Sequence, residues 1–305
     1  MTIKLPDGIS FFQRGWLSSN SVLLSDSSQS ILIDSGYWTH AEQCLALVRS
    51  VIGDRRLTKL INTHLHSDHC GGNALLKEAF PSMKILIPPG HSEYVKQWNP
   101  EKLSYTPTGQ HCPQFAIDGL LSDKDSFEIS NKFWFAYAAP GHDPHSIILF
   151  CPQDGILISA DALWQNGFGV VFPEIEGESA FDEVESTIDL IQRLSPKIVI
   201  PGHGDAFTDI DDAIQRARTR LNIFRKSPEK HAIYASKVLI KFKLLELQIA
   251  SKVEFIKWAE NCAYLKVLSQ KSSMTNKFDA WIEDVLNELQ SSGSLHIVED
   301  TLVNA

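Results

Sequence analysis

The sequence predicts an α+β protein with two strand-rich halves and a mostly helical C-terminal region. Short apolar segments separated by polar turns recur from residue 10 to residue 200, and several end in a histidine or an aspartate. Clear helical periodicity in that stretch is largely confined to the segments after Thr39 and Ser179. After residue 209 the helical period dominates. We therefore expect one domain over residues 1–208 and a second over residues 209–305.

The first half is predicted to begin with three strands and a helix. A helix is expected after Thr39, because Thr39 and Glu42 have capping-box spacing and an apolar face continues to Ile52. Residues 99–126 lack periodicity, and we expect this long segment to cover the site as a lid. The predicted strands are residues 10–16, 20–24, 30–33, 57–61 and 84–87, and shorter helices are expected at 73–80 and 91–98.

The second half is predicted to contain one helix, capped at Ser179, among apolar strands. The chain then becomes helical and closes with a β-ribbon, a combination that suggests a winged-helix-like module. The predicted strands are residues 127–129, 132–138, 147–150, 155–159 and 197–200, and the predicted C-terminal helices are residues 210–224, 229–247, 253–268 and 277–289.

Composition narrows the class of protein. No run approaches the 18 apolar residues of a membrane span, and the N-terminus lacks the apolar core of a signal peptide. The five cysteines are scattered without paired spacing, which is typical of a reducing compartment. We therefore expect a cytoplasmic protein that acts on a small molecule without a membrane; a homodimer stays open.

Charge is divided unevenly along the chain. Residues 1–215 carry 14 Lys/Arg against 27 Asp/Glu, whereas residues 216–305 carry 14 against 10. Bound divalent cations would offset part of the acidity of the first block. The basic tail could contact nucleic acid, or it could be a solvated helical face.

Residues 62–72 form the richest motif, with the spacing His64-x-His66-x-Asp68-His69. Imidazole and carboxylate are the ligands that zinc and similar metals take. A predicted strand precedes the motif and a predicted helix follows it, so the four side chains share one tight turn. Gly71 and Gly72 are expected to supply backbone freedom for that turn. Cys70, beside them, is interpreted as a residue that lines the site.

Three later turns repeat the pattern of a strand that ends in a ligand. They are Pro-Gly-His142, Ser-Ala-Asp161 and Pro-Gly-His203-Gly. Together with the first motif, and in this order, they resemble the metallo-β-lactamase-fold superfamily over about residues 10–208. The resemblance implies an αββα sandwich with a dinuclear metal site at one edge of two sheets, and it points to the glyoxalase II-like and lactonase-like branch.

The resemblance also implies roles for individual residues. His64, His66 and His142 would hold the first metal, and Asp68, His69 and His203 the second. Asp161 would bridge the two. Asp34 matches a position that orients the metal loop. The cofactors would be two divalent ions, zinc first, with manganese or iron as alternatives.

Two divalent ions held by five imidazoles and two carboxylates would ionise water near neutral pH. The expected reaction is attack of hydroxide on a small-molecule ester, thioester or lactone, with Asp68 or water protonating the leaving group. The aromatic stretch at residues 164–174 would form an apolar wall, and Glu174, Glu176 and Glu178 would repel a polyphosphate if they faced the cleft.

Two other reactions stay open. One is phosphodiester or RNA hydrolysis, with the basic tail holding nucleic acid. The other is the persulfide dioxygenase reaction of mononuclear-iron members of the superfamily. The 41 residues between Asp161 and His203 leave no room for the insertion of cleavage-factor nucleases, and His66 replaces the carboxylate of flavodiiron proteins. His145 could reach substrate or could be a surface residue.

Overall fold

The structure, a computed structural model, describes residues 3–272 and 277–305. The strands are β1 Ile9–Phe12, β2 Ser21–Ser25, β3 Ser30–Ile33, β4 Lys59–Ile61, β5 Lys84–Ile87, β6 Gly119–Leu120, β7 Ser126–Ile129, β8 Lys132–Ala138, β9 Ile147–Cys151, β10 Ile156–Ala160, β11 Ile198–Pro201, β12 Ile249–Ser251, β13 Leu295–Val298 and β14 Thr301–Asn304. The α-helices are α1 Ala41–Ile52, α2 Ser67–Cys70, α3 Asn73–Ala79, α4 Ser92–Gln97, α5 Phe172–Glu176, α6 Phe181–Leu194, α7 Ile210–Lys226, α8 Pro228–Leu247, α9 Lys252–Asn261, α10 Ala263–Lys271 and α11 Phe278–Ser291.

Two sheets face each other in the first two hundred residues. The first has the strand order β1-β2-β3-β4-β5-β6 and is parallel from β3 onward. The second has the order β11-β10-β9-β8-β7 and is antiparallel except for the β10–β11 pair. A third, three-stranded antiparallel sheet in the C-terminal region has the order β12-β14-β13.

Alternating side chains give this region its four layers. In β2, Val22 and Leu24 join the core between the sheets, while Leu23 between them joins the core under α1. This is the two-residue period of a strand with both faces buried. On the outer face of the second sheet, α6 and α7 pack over residues such as Leu157 and Val199. The result is the predicted αββα sandwich.

The helix starts differ from the predicted caps. Thr39 lies inside a 3-10 turn, Trp38–His40, and α1 begins at Ala41 without a side-chain cap. Ser179 does not cap α6 either. The Glu174 carboxylate accepts hydrogen bonds from the N–H groups of Ala180 and Phe181, so a residue from a separate helix satisfies these donors. Glu174 precedes these donors by six and seven residues, outside the spacing of a capping box.

The C-terminal region has its own core, formed by α8 to α11 and the small sheet. The predicted helix over residues 253–268 is two helices, separated at Cys262, and the predicted ribbon gains a third strand, β12. Helix α7 packs with α6 on the sandwich rather than on this core. The division between residues 208 and 209 and the winged-helix likeness stay predictions. None of the described helices is both long and apolar enough to cross a bilayer.

His231 links α8 to the sandwich and predicts a pH-dependent stability. Its buried Nε2 accepts a hydrogen bond from the N–H of Val171, and burial together with Lys271 lowers the pKa of His231 to about 4. The unfolded chain binds this proton near pH 6.5, so the free energy of unfolding falls as the pH drops from about 6.5 toward 4. At pH 5.5 this group lowers the free energy of unfolding by about 1 kcal/mol relative to its value at pH 7.5.

The expected result is measured by urea unfolding at pH 7.5 and pH 5.5. His231→Gln keeps a hydrogen-bond acceptor but does not titrate, so its loss of stability between the two pH values should be smaller by about 1 kcal/mol. Equal losses in both proteins would rule out His231 as the source.

Candidate metal centre

The candidate ligands lie beyond the carboxyl ends of several strands. Asp34 follows β3, His64 lies just beyond β4, and Asp161 and His203 follow β10 and β11. His142 lies four residues beyond β8, which runs in the same direction as β10 because each is antiparallel to β9. The carboxyl ends of these strands meet at one edge of the sandwich, and this brings together residues far apart in the sequence.

The metal loop changes conformation in its middle. His66 is extended, with φ −64° and ψ 147°, and the helical turn α2 begins at Ser67. The imidazoles of His64 and His66 converge, with Nε2 of His64 3.1 Å from Nδ1 of His66. Asp68 and His69 lie on the helical turn. Nε2 of His69 lies near the carboxylates of Asp68 and Asp161, and its ring centre is 4.0 Å from that of His64. The four side chains of one short motif are therefore shared between two groups.

The first group consists of His64, His66 and His142. The Nδ1 atom of His66 lies 3.1 Å from Nε2 of His64 and 2.8 Å from Nε2 of His142. All three side chains are largely buried. Ligand atoms around a tetrahedral zinc ion lie roughly 3.3 Å apart, which is close to the observed spacing. These residues could hold one metal ion.

The second group consists of Asp68, His69 and His203, and Asp161 lies between the groups. Oδ2 of Asp68 lies 3.0 Å from Nε2 of His203 and 3.8 Å from Nε2 of His69. Oδ2 of Asp161 is 3.4 Å from Nε2 of His142 in the first group. The same oxygen is 3.6 Å from His69 and 3.8 Å from His203 in the second. One carboxylate oxygen is therefore within reach of both groups.

Hydrogen bonds outside the cluster set the orientation of two imidazoles. Nδ1 of His69 donates to the Asp34 carboxylate at 2.8 Å, and Nδ1 of His142 donates to the Val170 carbonyl at 2.6 Å. In the neutral rings, Nε2 then carries a lone pair and faces the cluster. Nε2 of His69 is buried and has no hydrogen-bond partner among the described atoms. Lone pairs and carboxylates that face one another in this way fit divalent cations between them.

The charges around the first group agree with this donor set, and those around the second attract a positive charge. Burial and neighbouring imidazoles lower the pKa of His64, and burial with His142 lowers the pKa of His66 to about 4. Both rings are therefore neutral at pH 7, as metal ligands must be. Burial disfavours charge on His69, but Asp34, Asp161 and Asp68 outweigh it and raise its pKa. Burial likewise opposes charge on Asp161, yet His203 and His69 hold its pKa well below the usual range.

Glycines allow the close packing of the site. Gly71 and Gly72 have ordinary helical φ angles of −63° and −84°, so the expectation of special backbone freedom is wrong. A Cβ at Gly71 would lie 2.4 Å from the amide nitrogen of Trp38, and one at Gly72 would lie 2.6 Å from the Ser35 carbonyl oxygen. A Cβ at Gly202 would lie 2.1 Å from the Asp161 carboxylate. Glycine is required at these positions because neighbouring atoms approach the backbone too closely for a side chain.

A cavity of about 370 Å³ opens over the cluster. Candidate ligands from both groups form its floor, and its other walls come from five separate parts of the chain. Arg220 is the single lysine or arginine among its described lining residues. The lining consists of Trp16, His66, Asp68, Ser104, Thr108, Gln110, His142, Asp161, Trp164, Asn166, Gly169, Val170, Phe172, His203, Arg220, Tyr234, Val238, Leu239 and Phe242.

Several contributors were absent from the sequence analysis. The Asn20 side chain donates to the carbonyls of Pro201 and Gly204, which fastens the N-terminal segment to the His203 turn. Trp16 stacks on the His203 ring at 5.4 Å between ring centres and remains 56% exposed at the cavity mouth. Neither residue belongs to a motif. Their roles come from long-range proximity, which leaves no local signal.

Some predicted contributors lie elsewhere. Of the aromatic stretch, Trp164 and Phe172 line the cavity, but the three glutamates do not: Glu174 supports α6 and Glu176 bonds to Tyr264. These glutamates therefore do not face the cavity, and the expectation that they would repel a polyphosphate there is not met. His145 packs against His91 at 4.5 Å, outside the described lining. Cys70 is fully buried behind the loop, with its Sγ 3.2 Å from the Tyr105 hydroxyl, so it does not line the site.

Residues 99–118 form one wall of the cavity. Their aromatic residues, Tyr105 and Phe115, are buried in the core under α1 and anchor the segment to the first sheet. The cavity side is polar and includes Gln110, whose side-chain oxygen accepts a 2.5 Å hydrogen bond from Ser67 in the metal loop. Cys262 and Trp258 of the C-terminal region donate hydrogen bonds to the carbonyls of Pro107 and Gly109, on either side of the lining residue Thr108. Movement of this segment as a lid stays a prediction.

Comparison with known proteins decides the family. The Metallo-beta-lactamase superfamily matches residues 14–203, about three-fifths of the chain. The chain belongs to the metallo-β-lactamase superfamily. The matched segment contains Asp34 and all seven candidate ligands and ends at His203, so the C-terminal region lies outside it.

Curated relatives within the superfamily include thioesterases. The human acyl-coenzyme A thioesterase MBLAC2 is 24% identical over 225 residues, which cover 67% of this chain and 81% of that protein. The atrochrysone carboxyl ACP thioesterase of Aspergillus fumigatus is 21% identical and matches 65% of this chain but only 54% of its own length. A hydroxyacylglutathione hydrolase of Rhizobium meliloti is 26% identical over 38% of each chain.

Solved structures of the superfamily share the fold. The B3 metallo-β-lactamase BLEG-1 superimposes with a TM-score of 0.57 at 22% identity and covers 68% of this chain and 96% of its own. The metallo-β-lactamase family protein TTHA1429 from Thermus thermophilus superimposes with a TM-score of 0.58 at 17% identity, and it covers 99% of this chain and 100% of its own. At these identities the likeness concerns the fold alone.

Proposed function

We propose that this chain is a metal-dependent hydrolase that cleaves small-molecule thioesters with two divalent cations at the cluster. The observation that carries the proposal is Oδ2 of Asp161, which lies 3.4–3.8 Å from ring nitrogens of both groups, beneath a mostly apolar cavity. Membership of a superfamily of metallo-hydrolases and the two thioesterase relatives support the reaction class.

The proposed ligand set follows the two groups. His64, His66 and His142 would hold one cation, Asp68, His69 and His203 the other, and Asp161 would contact both. Zinc is the expected metal, with manganese and iron as alternatives for such a His/Asp set. Two such cations lower the pKa of water and neutralise the negative charge that develops on a carbonyl oxygen under attack.

The residues of the chain supply position and proton transfer. Asp68 lines the cavity and its Oδ2 lies 3.0 Å from Nε2 of His203, so its carboxyl group borders both the cation site and the substrate space. Asp68 would carry a proton to the leaving group. A thiolate, with a thiol pKa near 8.5, needs this proton less than an alkoxide does, which favours thioesters over simple esters. Trp16 and Trp164 would shield the reacting carbonyl from bulk water.

Nucleic acid is disfavoured by the cavity itself. Proteins that bind nucleic acid make many contacts from lysine and arginine to the phosphate backbone. The described lining contains one such residue, Arg220. Two lysines of the C-terminal region, Lys237 and Lys252, form salt bridges with Glu288 and Glu283 of α11. Of the positive charge after residue 216, Arg220 alone is among the described residues that line the cavity.

A parallel substrate screen tests the proposal. Protein reconstituted with zinc, manganese or iron is assayed on acyl-coenzyme A thioesters, lactones, β-lactams, bis-nitrophenyl phosphate and RNA. Thioesters should give the largest kcat/KM, roughly a hundredfold or more above the phosphodiester, because only the acyl group matches the apolar walls. EDTA-treated protein is the control and should be inactive.

Two results would overturn the proposal. Turnover of phosphodiesters alone would assign the site to phosphodiester or RNA hydrolysis. One bound iron per chain with oxygen consumption on glutathione persulfide would assign it to the dioxygenase reaction. Metal analysis of the same samples separates the two.

A further inference from the structure

Helix α8 of the C-terminal region forms one wall of the cavity. Tyr234, Val238 and Phe242 all line it and are spaced four residues apart. At 3.6 residues per turn this spacing places the three side chains in one stripe along the helix. With a rise of 1.5 Å per residue, the stripe is about 12 Å long. We call these three residues the α8 stripe.

The two ends of the α8 stripe can be located relative to the candidate ligands. At one end, the Tyr234 hydroxyl donates to the Phe168 carbonyl at 3.5 Å, and the next residue, Gly169, donates its N–H to the Asp161 carbonyl. At the other end, the Phe242 ring meets the Tyr37 ring at 5.1 Å, beside Gly71 of the metal loop. The stripe therefore crosses the opening above the cluster.

The α8 stripe is held rigidly in place. The other side of α8 is buried in the C-terminal core through Ala235, Ile240 and Leu244. Phe242 is itself buried with Leu17 and Tyr37. A wall that cannot shift discriminates by shape, because enlarging a well-packed site forces costly rearrangement.

The chemistry of the walls identifies what binds there. Val170 and Phe172 line the cavity along with the α8 stripe, and the polar lining of Ser104, Thr108 and Gln110 comes from a separate segment. The Arg220 guanidinium stacks on the Tyr234 ring at 5.2 Å and also borders the neighbouring surface groove. The positively charged group thus lies at one end of the stripe, where the cavity meets the groove.

We infer that the α8 stripe binds the acyl chain of the substrate and sets the chain length that the enzyme prefers. This inference rests on the proposed thioester hydrolysis and specifies its substrate class as thioesters of medium-length apolar acids. A 12 Å stripe matches roughly eight to ten carbons of an extended chain. The anionic group that carries the acyl chain, as coenzyme A does in an acyl-coenzyme A thioester, extends past Arg220 into the groove.

A chain-length series tests the inference in the metal-reconstituted full chain. Hydrolysis of acyl-coenzyme A thioesters from acetyl to palmitoyl is measured, together with binding of S-alkyl-coenzyme A thioethers, which cannot be hydrolysed. In the wild type, kcat/KM should rise by up to about fourfold per methylene and stop rising near eight to ten carbons. Thioether affinity should follow the same profile.

Two variants should move this profile in opposite directions. Val238→Phe fills the middle of the stripe, so the ratio of decanoyl to acetyl activity should fall at least tenfold. Phe242→Ala opens one end, so the maximum should move to longer chains. Val253→Phe is the matched control, because it makes the same change at a side chain that is 57% exposed on α9 and outside the described lining. Its profile should equal that of the wild type.

The outcomes separate the two proposals. If thioesters are hydrolysed but Val238→Phe and Phe242→Ala keep the wild-type chain-length profile, the α8 stripe is not the acyl site and the inference is overturned. If no thioester is hydrolysed while thioether binding depends on chain length and shifts in Val238→Phe, the proposed reaction fails but the binding wall stands. If no thioester is hydrolysed and thioether binding does not depend on chain length, both fail.

Discussion

Asp161→Ala is expected to lose bound metal and activity together. The Asp161 carboxylate faces His142, His69 and His203 and also accepts a hydrogen bond from the indole N–H of Trp164. Removing one partner from a buried set of charges costs about 3–5 kcal/mol, or roughly a hundredfold to several thousandfold in affinity. Metal content by elemental analysis and kcat/KM on a thioester are the measurements. His66→Ala should behave similarly.

The matched control for this prediction is Asp54→Ala. Asp54 is exposed in the turn after α1, away from the ligand edge of the sheet, and its loss should change neither quantity. An Asp161→Ala protein that retained two metal ions per chain and wild-type turnover would contradict the proposed ligand set.

Asp34→Asn should weaken metal binding more than it weakens the fold. The Asp34 carboxylate accepts hydrogen bonds from the backbone N–H and hydroxyl of Thr63, each at 2.8 Å, and from Nδ1 of His69. Asparagine keeps one oxygen and tolerates the positive φ of 58° at this position. Its NH₂ group, however, faces Nδ1 of His69 and favours the tautomer that places a proton on Nε2. Metal affinity should fall about 10–100-fold.

Two readouts distinguish orientation of the metal loop from simple stability. Metal affinity is measured by competition with a chelator, and stability by urea unfolding of the metal-free protein. Asp34→Ala, which leaves buried donors without partners, should lose about 1–3 kcal/mol of stability as well. If Asp34→Asn bound metal as tightly as the wild type, the proposed role of Asp34 in setting the His69 tautomer would be wrong.

The strand pattern by itself predicted two strand-rich halves, and the αββα sandwich was implied by the resemblance of the ligand motifs to the metallo-β-lactamase-fold superfamily. A continuous apolar run such as Val22-Leu23-Leu24 can be recognised in the sequence, because a strand with both faces buried carries apolar residues at successive positions. The seven candidate ligands were also identified from the sequence, four by the spacing of one motif and three by their position in turns after predicted strands. The predicted caps were wrong for two different reasons: Thr39 lies inside the 3-10 turn before α1, and the donors at the start of α6 are satisfied by Glu174 instead of Ser179.

The chain by itself determined which side chains can bind a metal and which strand ends carry them, because ligand type and two-residue alternation are local properties. The resemblance implied how those side chains are divided between two metals, with Asp161 between them. Only the tertiary structure brings them within a few ångströms of one another and places the α8 stripe over the cluster. The physical reason is that these contacts join residues dozens to more than a hundred positions apart, and such contacts depend on packing the sheets and helices together rather than on any neighbouring residue.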